Sequence, residues 1–207
     1  MLLHNPIGVV APTLDAPVLA VLARADEAFT GRQVHRLAGQ GTEQGVRNAL
    51  ERLVDQGLVM RTTAGAAYLY RLNRQHLAAP HVEGLAGLRD ELFARWRAGI
   101  AAWPITPVAV LMFGSAARGT MDTSSDIDLL VITDEQPGGL EEEIARLQAD
   151  TAAWTGNDAR VLHVASAQVS ADEPVLIAAA AEGVVITGDA GWLRRRLGSV
   201  GGVAGGS

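Results

Sequence analysis

Residues 108 to 131, VAVLMFGSAARGTMDTSSDIDLLV, constrain the fold more than any other part of this chain. An apolar run from Val108 to Phe113 ends at Gly114-Ser115, and ten residues later Asp126-Ile127-Asp128 lead into a second apolar run, Leu129 to Ile132. Short aliphatic runs bounded in this way predict buried strands. Side chains alternate along a strand, so Asp126 and Asp128 are expected to share one face while Ile127 enters the core. Two neighbouring carboxylates repel each other unless a cation neutralises them. Mg²⁺ (or Mn²⁺), arriving with substrate phosphates, is the expected partner. Upstream, Gly114 lets the backbone approach a ligand closely. Ser115 near the start of a short helix, with free amides and Arg118, predicts a cradle for an anion.

Gly114-Ser115, ten residues, then Asp126-Ile127-Asp128 resembles the signature of the nucleotidyltransferase superfamily that includes DNA polymerase beta. The fuller form, GSAARG followed by SSDIDLLV, is most similar to the minimal nucleotidyltransferases of prokaryotes. The resemblance covers residues 105 to about 192. It implies transfer of a nucleoside monophosphate from ATP or another NTP, with pyrophosphate released. By position, Gly114 and Ser115 would bind the nucleotide, Arg118 would join them or brace the loop instead, and Asp126 and Asp128 would be the catalytic pair that binds the metal.

The strand expected at residues 160–165 departs from that pattern, because the resemblance implies a third carboxylate there. Its interior offers Arg160 and His163 but no acid, and Asp158 stands at its very start. Asp158 as the third carboxylate, His163 as a general base near neutral pH, and neither of them remain three open readings.

Composition frames the rest. The 207 residues are 48% hydrophobic, enough for one large or two small cores. With no cysteine, disulfides and thiolate metal sites are excluded. No apolar run approaches the ~20 residues that span a membrane, and the start, MLLHNPIGVV, lacks the basic region of a signal peptide. The expectation is a cytoplasmic protein with no membrane partner. Residues 1–80 carry eight arginines against six acids, whereas residues 81–207 carry nine against seventeen. The sign change predicts two modules with different partners.

In the first module, Asp15 to Ala25 has an N-cap candidate and an apolar stripe at Val18, Leu19 and Leu22. Thr30 is expected to cap a second helix ended by Gly39. Gly41-Thr42 opens a third, with Val46, Leu50, Leu53 and Val54 on one face and Gln44, Arg47, Asn48 and Glu51 on the other. Two strand-like pieces follow around Gly65. Three short helices and a hairpin resemble a winged helix-turn-helix domain of the bacterial transcription-regulator type, with NALERLVDQGLVMR the most similar part. That resemblance implies DNA contact: Thr42, Gln44, Arg47 and Asn48 near base edges, and Arg61, Thr62 and Thr63 on phosphates. A protein-contact or dimerisation role is the other reading, and a homodimer would double the modest positive surface.

The fold expected is therefore α/β (α+β): a winged helix-turn-helix in residues 1–80, a connecting helix in 81–104, a polymerase-beta-like nucleotidyltransferase core with a short mixed sheet in 105–192, and a flexible tail in 193–207. Ala78-Ala79-Pro80 is read as a break. Apolar residues at 85, 88, 92, 96, 100 and 103 predict a helix in which Trp96 and Trp103 are core anchors. Pro137-Gly138-Gly139 predicts a turn, residues 140–154 a helix whose first-turn glutamates favour the dipole, and residues 173–189 a last helix. Three functions fit: transfer of a nucleotide to a macromolecular acceptor such as a protein or tRNA, a DNA-binding regulator that senses nucleotide with little turnover, and an antitoxin that modifies or masks a toxin.

Overall fold

In a computed structural model that describes residues 1–134 and 138–201, the chain forms two compact units. One comprises residues 2–90, and the other comprises Met1 with the chain from Glu91 onward.

The first unit contains α1 (Asp15–Arg24), β1 (Phe29–Thr30), α2 (Gly31–Ala38), α3 (Glu43–Asp55), β2 (Val59–Ala64), β3 (Ala67–Leu72) and α4 (Ala79–Ala86). The strands form an antiparallel sheet in the order β1-β3-β2. Local chemistry sets the helix ends. Thr30 and Gln33 form a reciprocal capping box that opens α2, and Gly39, in a left-handed conformation, closes it. The Thr42 hydroxyl accepts from the Gly45 amide at 3.0 Å and opens α3. Along α3, Val46, Leu50 and Leu53 are buried and pack with Val18, Leu22 and Val34 in one apolar core. Asp15 is not the cap of α1. It is the helix's first residue, and its amide donates to the Thr13 hydroxyl at 3.3 Å.

Pro80 does not break the chain as expected; it lies in the first turn of α4, where its missing N–H costs nothing. Ala79, Val82 and Ala86 of α4 belong to the first unit's core. The single connecting helix expected over 81–104 is therefore two helices, α4 and α5 (Leu88–Ala101), separated at Gly87.

The second unit is built on a four-stranded mixed sheet of β4 (Ala109–Phe113), β5 (Ile127–Thr133), β6 (Ala159–Ala165) and β7 (Val184–Gly188), in the order β6-β5-β4-β7. The pair β5/β6 is parallel, and β4 is antiparallel to both its neighbours. The turn α6 (Gly114–Arg118) follows β4, α7 (Leu140–Thr155) links β5 to β6, α8 (Pro174–Glu182) precedes β7, and α9 (Trp192–Gly201) comes last. On one face Leu111, Leu130 and Ile132 pack with Leu176 and Ala179 of α8 and Leu193 of α9. Alternation sends Ile127, Leu129 and Val131, all fully buried, to the other face. Trp96 of α5 is fully buried and donates its indole N–H to the Thr151 hydroxyl of α7 at 2.9 Å. Trp103 is buried as well.

Two expectations near the end of the chain need correction. The last helix stops at Glu182, because Gly183 turns to an extended conformation; a Cβ there would lie 2.2 Å from the Ala179 carbonyl oxygen. The β-branched run that follows is strand β7, paired with β4, rather than more helix. The tail expected from 193 is helical through Gly201, and its remainder lies outside the described residues, as does Pro137. Among the described residues, no helix is long and apolar enough to cross a membrane.

Candidate active site

The site is assembled where β4 ends beside the start of β5. Gly114 follows Phe113 with φ +69°, a left-handed conformation that glycine adopts without penalty. A Cβ at this position would lie 2.5 Å from Asp128 Oδ2, so the glycine backbone and the Asp128 carboxylate touch only because no side chain intervenes. In the single turn that follows, the half-buried Ser115 accepts from the amides of Gly119 and Thr120 through its carbonyl. Substituting Gly114→Ala should therefore cost about 1–2 kcal/mol in backbone strain and displace Asp128. Thermal melts of the variant should show the loss of stability; an unchanged melting temperature would contradict the strain.

The ten-residue interval is pinned by its own side chains. The Asp122 carboxylate accepts from the Ser124 amide at 2.9 Å, the Ser124 hydroxyl at 2.8 Å and the Ser125 hydroxyl at 3.0 Å. The Ser124 hydroxyl, and then these other donors, hold the Asp122 carboxyl below the usual carboxylate range. Asn157, buried beside the loop, donates to the Ser125 carbonyl at 3.1 Å. The loop thus delivers Asp126 to the edge of β5 in a fixed position.

Asp126 and Asp128 flank the fully buried Ile127. Arg160 of β6 is in register with Asp128 and forms an ion pair with Asp126, Nε to Oδ2 at 2.6 Å. Burial pushes the Asp128 carboxyl above its ordinary range; the Arg160 charge opposes this, the Asp126 charge adds to it, and the Arg118 charge opposes it more weakly. The two carboxylates and Arg160 thus form one electrostatic cluster. Arg118, expected to face an anion, also forms an ion pair with Glu182 of α8, which braces the turn against that helix. Sequence reasoning missed both Arg160 and Glu182 as site residues, since only strand register and helix packing bring them there.

The two third-strand candidates are placed differently. Asp158 is exposed, precedes β6, and holds β5 through its carbonyl, which accepts from the Ile127 amide at 2.8 Å. Among the described residues, no group of three or more His, Asp or Glu side chains is placed to hold a metal ion. His163 cannot be a base for this site. It lies three residues beyond Arg160, so alternation turns it to the opposite face of β6. There its Nε2 bonds the Thr133 hydroxyl at 2.8 Å, and burial lowers its pKa. The pair Asp126 and Asp128 offers two carboxylate donors. That suits Mg²⁺ or Mn²⁺, which are bound through one or two carboxylates plus substrate phosphates rather than by a closed protein cage.

In the first unit, Gln44, Arg47 and Asn48 are exposed on one face of α3. Gln44 donates to Asn48 at 2.8 Å, and Arg47 lies 3.7 Å from Glu43. The Thr42 side chain is occupied as the helix cap. Arg61, expected to meet phosphates, forms an ion pair with Glu51 of α3 at 2.6 Å and stacks on Tyr68 at 4.8 Å. Tyr70 donates to the same glutamate at 3.2 Å.

No curated protein matches this chain. Among solved structures, it is similar to a chain described as "Crystal structure of the toxin-antitoxin with AMP-PNP", with 16% identity over 57% of this chain and 85% of that one. The TM-score is 0.39. Residues 99–158, which carry β4, the Gly114 turn, the pinned loop and both aspartates, match the family model of the nucleotidyltransferase domain.

Proposed function

We propose that the second unit is a nucleotidyltransferase dependent on Mg²⁺ or Mn²⁺, moving a nucleoside monophosphate, AMP from ATP in the first instance, to a macromolecular acceptor such as a protein or tRNA. The observation that carries this reading is the close approach of Asp128 to Gly114, where a Cβ would collide with its carboxylate, with Asp126 beside it, inside the segment that matches the nucleotidyltransferase domain. Asp126 and Asp128 would hold the cation, and Gly114, Ser115 and Arg118 would bind the phosphates. A bound divalent cation supplies charge neutralisation and orientation for the phosphates. In the reaction, an acceptor oxygen bonds to the α-phosphorus, the bond to the pyrophosphate oxygen breaks, and the acceptor's proton passes to solvent. With His163 on the opposite face of β6, positioning and charge carry the rate, and turnover is expected to be slow. The test is incubation with α-labelled NTPs and cell lysate. Labelled macromolecular product supports transfer. Mg²⁺-dependent ATP binding without any product would favour a nucleotide-sensing regulator.

The first unit, on the same reading, is a winged helix that contacts DNA through Gln44, Arg47 and Asn48. The supporting features are the order of helices and strands and the exposed polar face of α3. Arg47→Ala is expected to weaken binding at a cognate site by about 1–3 kcal/mol and to relax its specificity. Binding should fall steeply with salt as counterions are released. Gel shifts with the fragment upstream of the protein's own gene check this. Absence of any shift at low salt would leave the unit as a protein-contact module.

A further inference from the structure

Three charged groups meet at the mouth of the candidate site, and one of them is a cation. Arg160 bonds Asp126 and stands in register with Asp128, and its charge acts on Asp128 as well. Its side chain is 77% exposed, whereas that of Asp126 is 23% exposed. The loop that leads into Asp126 is pinned, and the arginine is the more exposed partner. An exposed ion pair of this kind is weak and opens readily. The neighbouring cation, Arg118, is tied to Glu182.

We propose that Arg160 is a built-in counter-cation of the aspartate pair, competing with a divalent metal for Asp126. It holds Asp126 while no nucleotide is present. A free metal ion must then displace the guanidinium and also bear its repulsion. A metal ion carried by a triphosphate meets a different balance, because the phosphates bring negative charge that offsets the metal and gives the displaced guanidinium a new partner. The site therefore discriminates against free metal and admits metal together with nucleotide. This inference rests on the nucleotidyltransferase reading above.

The test is Mn²⁺ binding to the full-length chain, followed by electron paramagnetic resonance with and without ATP, in wild type, Arg160→Gln, Arg160→Lys and Asp128→Asn. Without ATP, Arg160→Gln should bind Mn²⁺ about tenfold or more tightly than wild type, as expected for removing a like charge a few ångströms away. Arg160→Lys, which keeps the charge, should stay close to wild type. With ATP, the advantage of Arg160→Gln should shrink or vanish. Since residue 160 is mostly exposed, the variants should fold, and circular dichroism verifies that. If Arg160→Gln binds free Mn²⁺ no more tightly than wild type while wild type binds Mn²⁺ with ATP in an Asp128-dependent way, the inference falls and the transferase reading stands. If no variant binds Mn²⁺ with or without ATP, both fall.

Discussion

Asp126→Asn and Asp128→Asn should each reduce nucleotide transfer by about 10³-fold or more while leaving the protein folded. A bound cation is worth several kcal/mol of charge stabilisation in transfers of this kind, and each ~1.4 kcal/mol is a factor of ten in rate. Halving the carboxylate pair removes the anchor for that cation. For Asp128→Asn the folding part of the prediction follows from the direction of the Asp128 shift. Its carboxyl is raised above its ordinary range, chiefly by burial. A raised carboxyl pKa means that the ionised form opposes folding once the pH is above the unfolded value. Asparagine at 128 removes that penalty, together with the repulsion from Asp126, so the melting temperature at neutral pH should hold or rise. Rates with labelled NTP, set beside thermal melts, check both halves. Retained transfer in either variant contradicts the assignment, and a large drop in melting temperature contradicts the account of the site's electrostatics.

Trp96→Ala should destabilise the second unit by about 3–5 kcal/mol, the range for emptying a large aromatic from a core. The residue is fully buried, packs against Phe93 with ring centroids 5.2 Å apart, and donates to Thr151. Trp96→Phe keeps a ring in place but loses the N–H, and should cost less. All four tryptophans, at 96, 103, 154 and 192, fall in the second unit, while both tyrosines, at 68 and 70, fall in the first. Tryptophan fluorescence during urea denaturation therefore reports on the second unit alone. A midpoint unchanged by Trp96→Ala would contradict the packing described.

Features that depend on near neighbours were legible in the sequence. The capping residues Thr30 and Thr42, the stop at Gly39, the hairpin around Gly65 and the strands on either side of the Gly114-Ser115 turn follow from local chemistry. The Asp122 loop was equally local, since Asp followed by Thr-Ser-Ser is a turn-forming pattern, but its role in presenting Asp126 emerged only with the structure. Strand β7 was hidden because Val184 to Thr187 continue an alanine-rich helix, and a short apolar run does not distinguish helix from strand. The partners of Arg160, Arg118 and Arg61 were illegible for a different reason. Asp126, Glu182 and Glu51 lie 34, 64 and 10 residues away, and only register and packing bring them together. His163 shows the same limit: a strand position has a definite parity, but the face it reaches is known only once a neighbouring strand is aligned.

Calorimetry of ATP binding in Mg²⁺ and in EDTA decides whether Asp126 and Asp128 bind a divalent cation together with a nucleotide. Wild type should bind ATP at least about tenfold more tightly with Mg²⁺ than in EDTA, since the cation links the paired carboxylates to the phosphates. Asp128→Asn should lose most of that difference. Equal affinity in Mg²⁺ and EDTA for wild type, or an Asp128→Asn variant indistinguishable from it, would contradict the account.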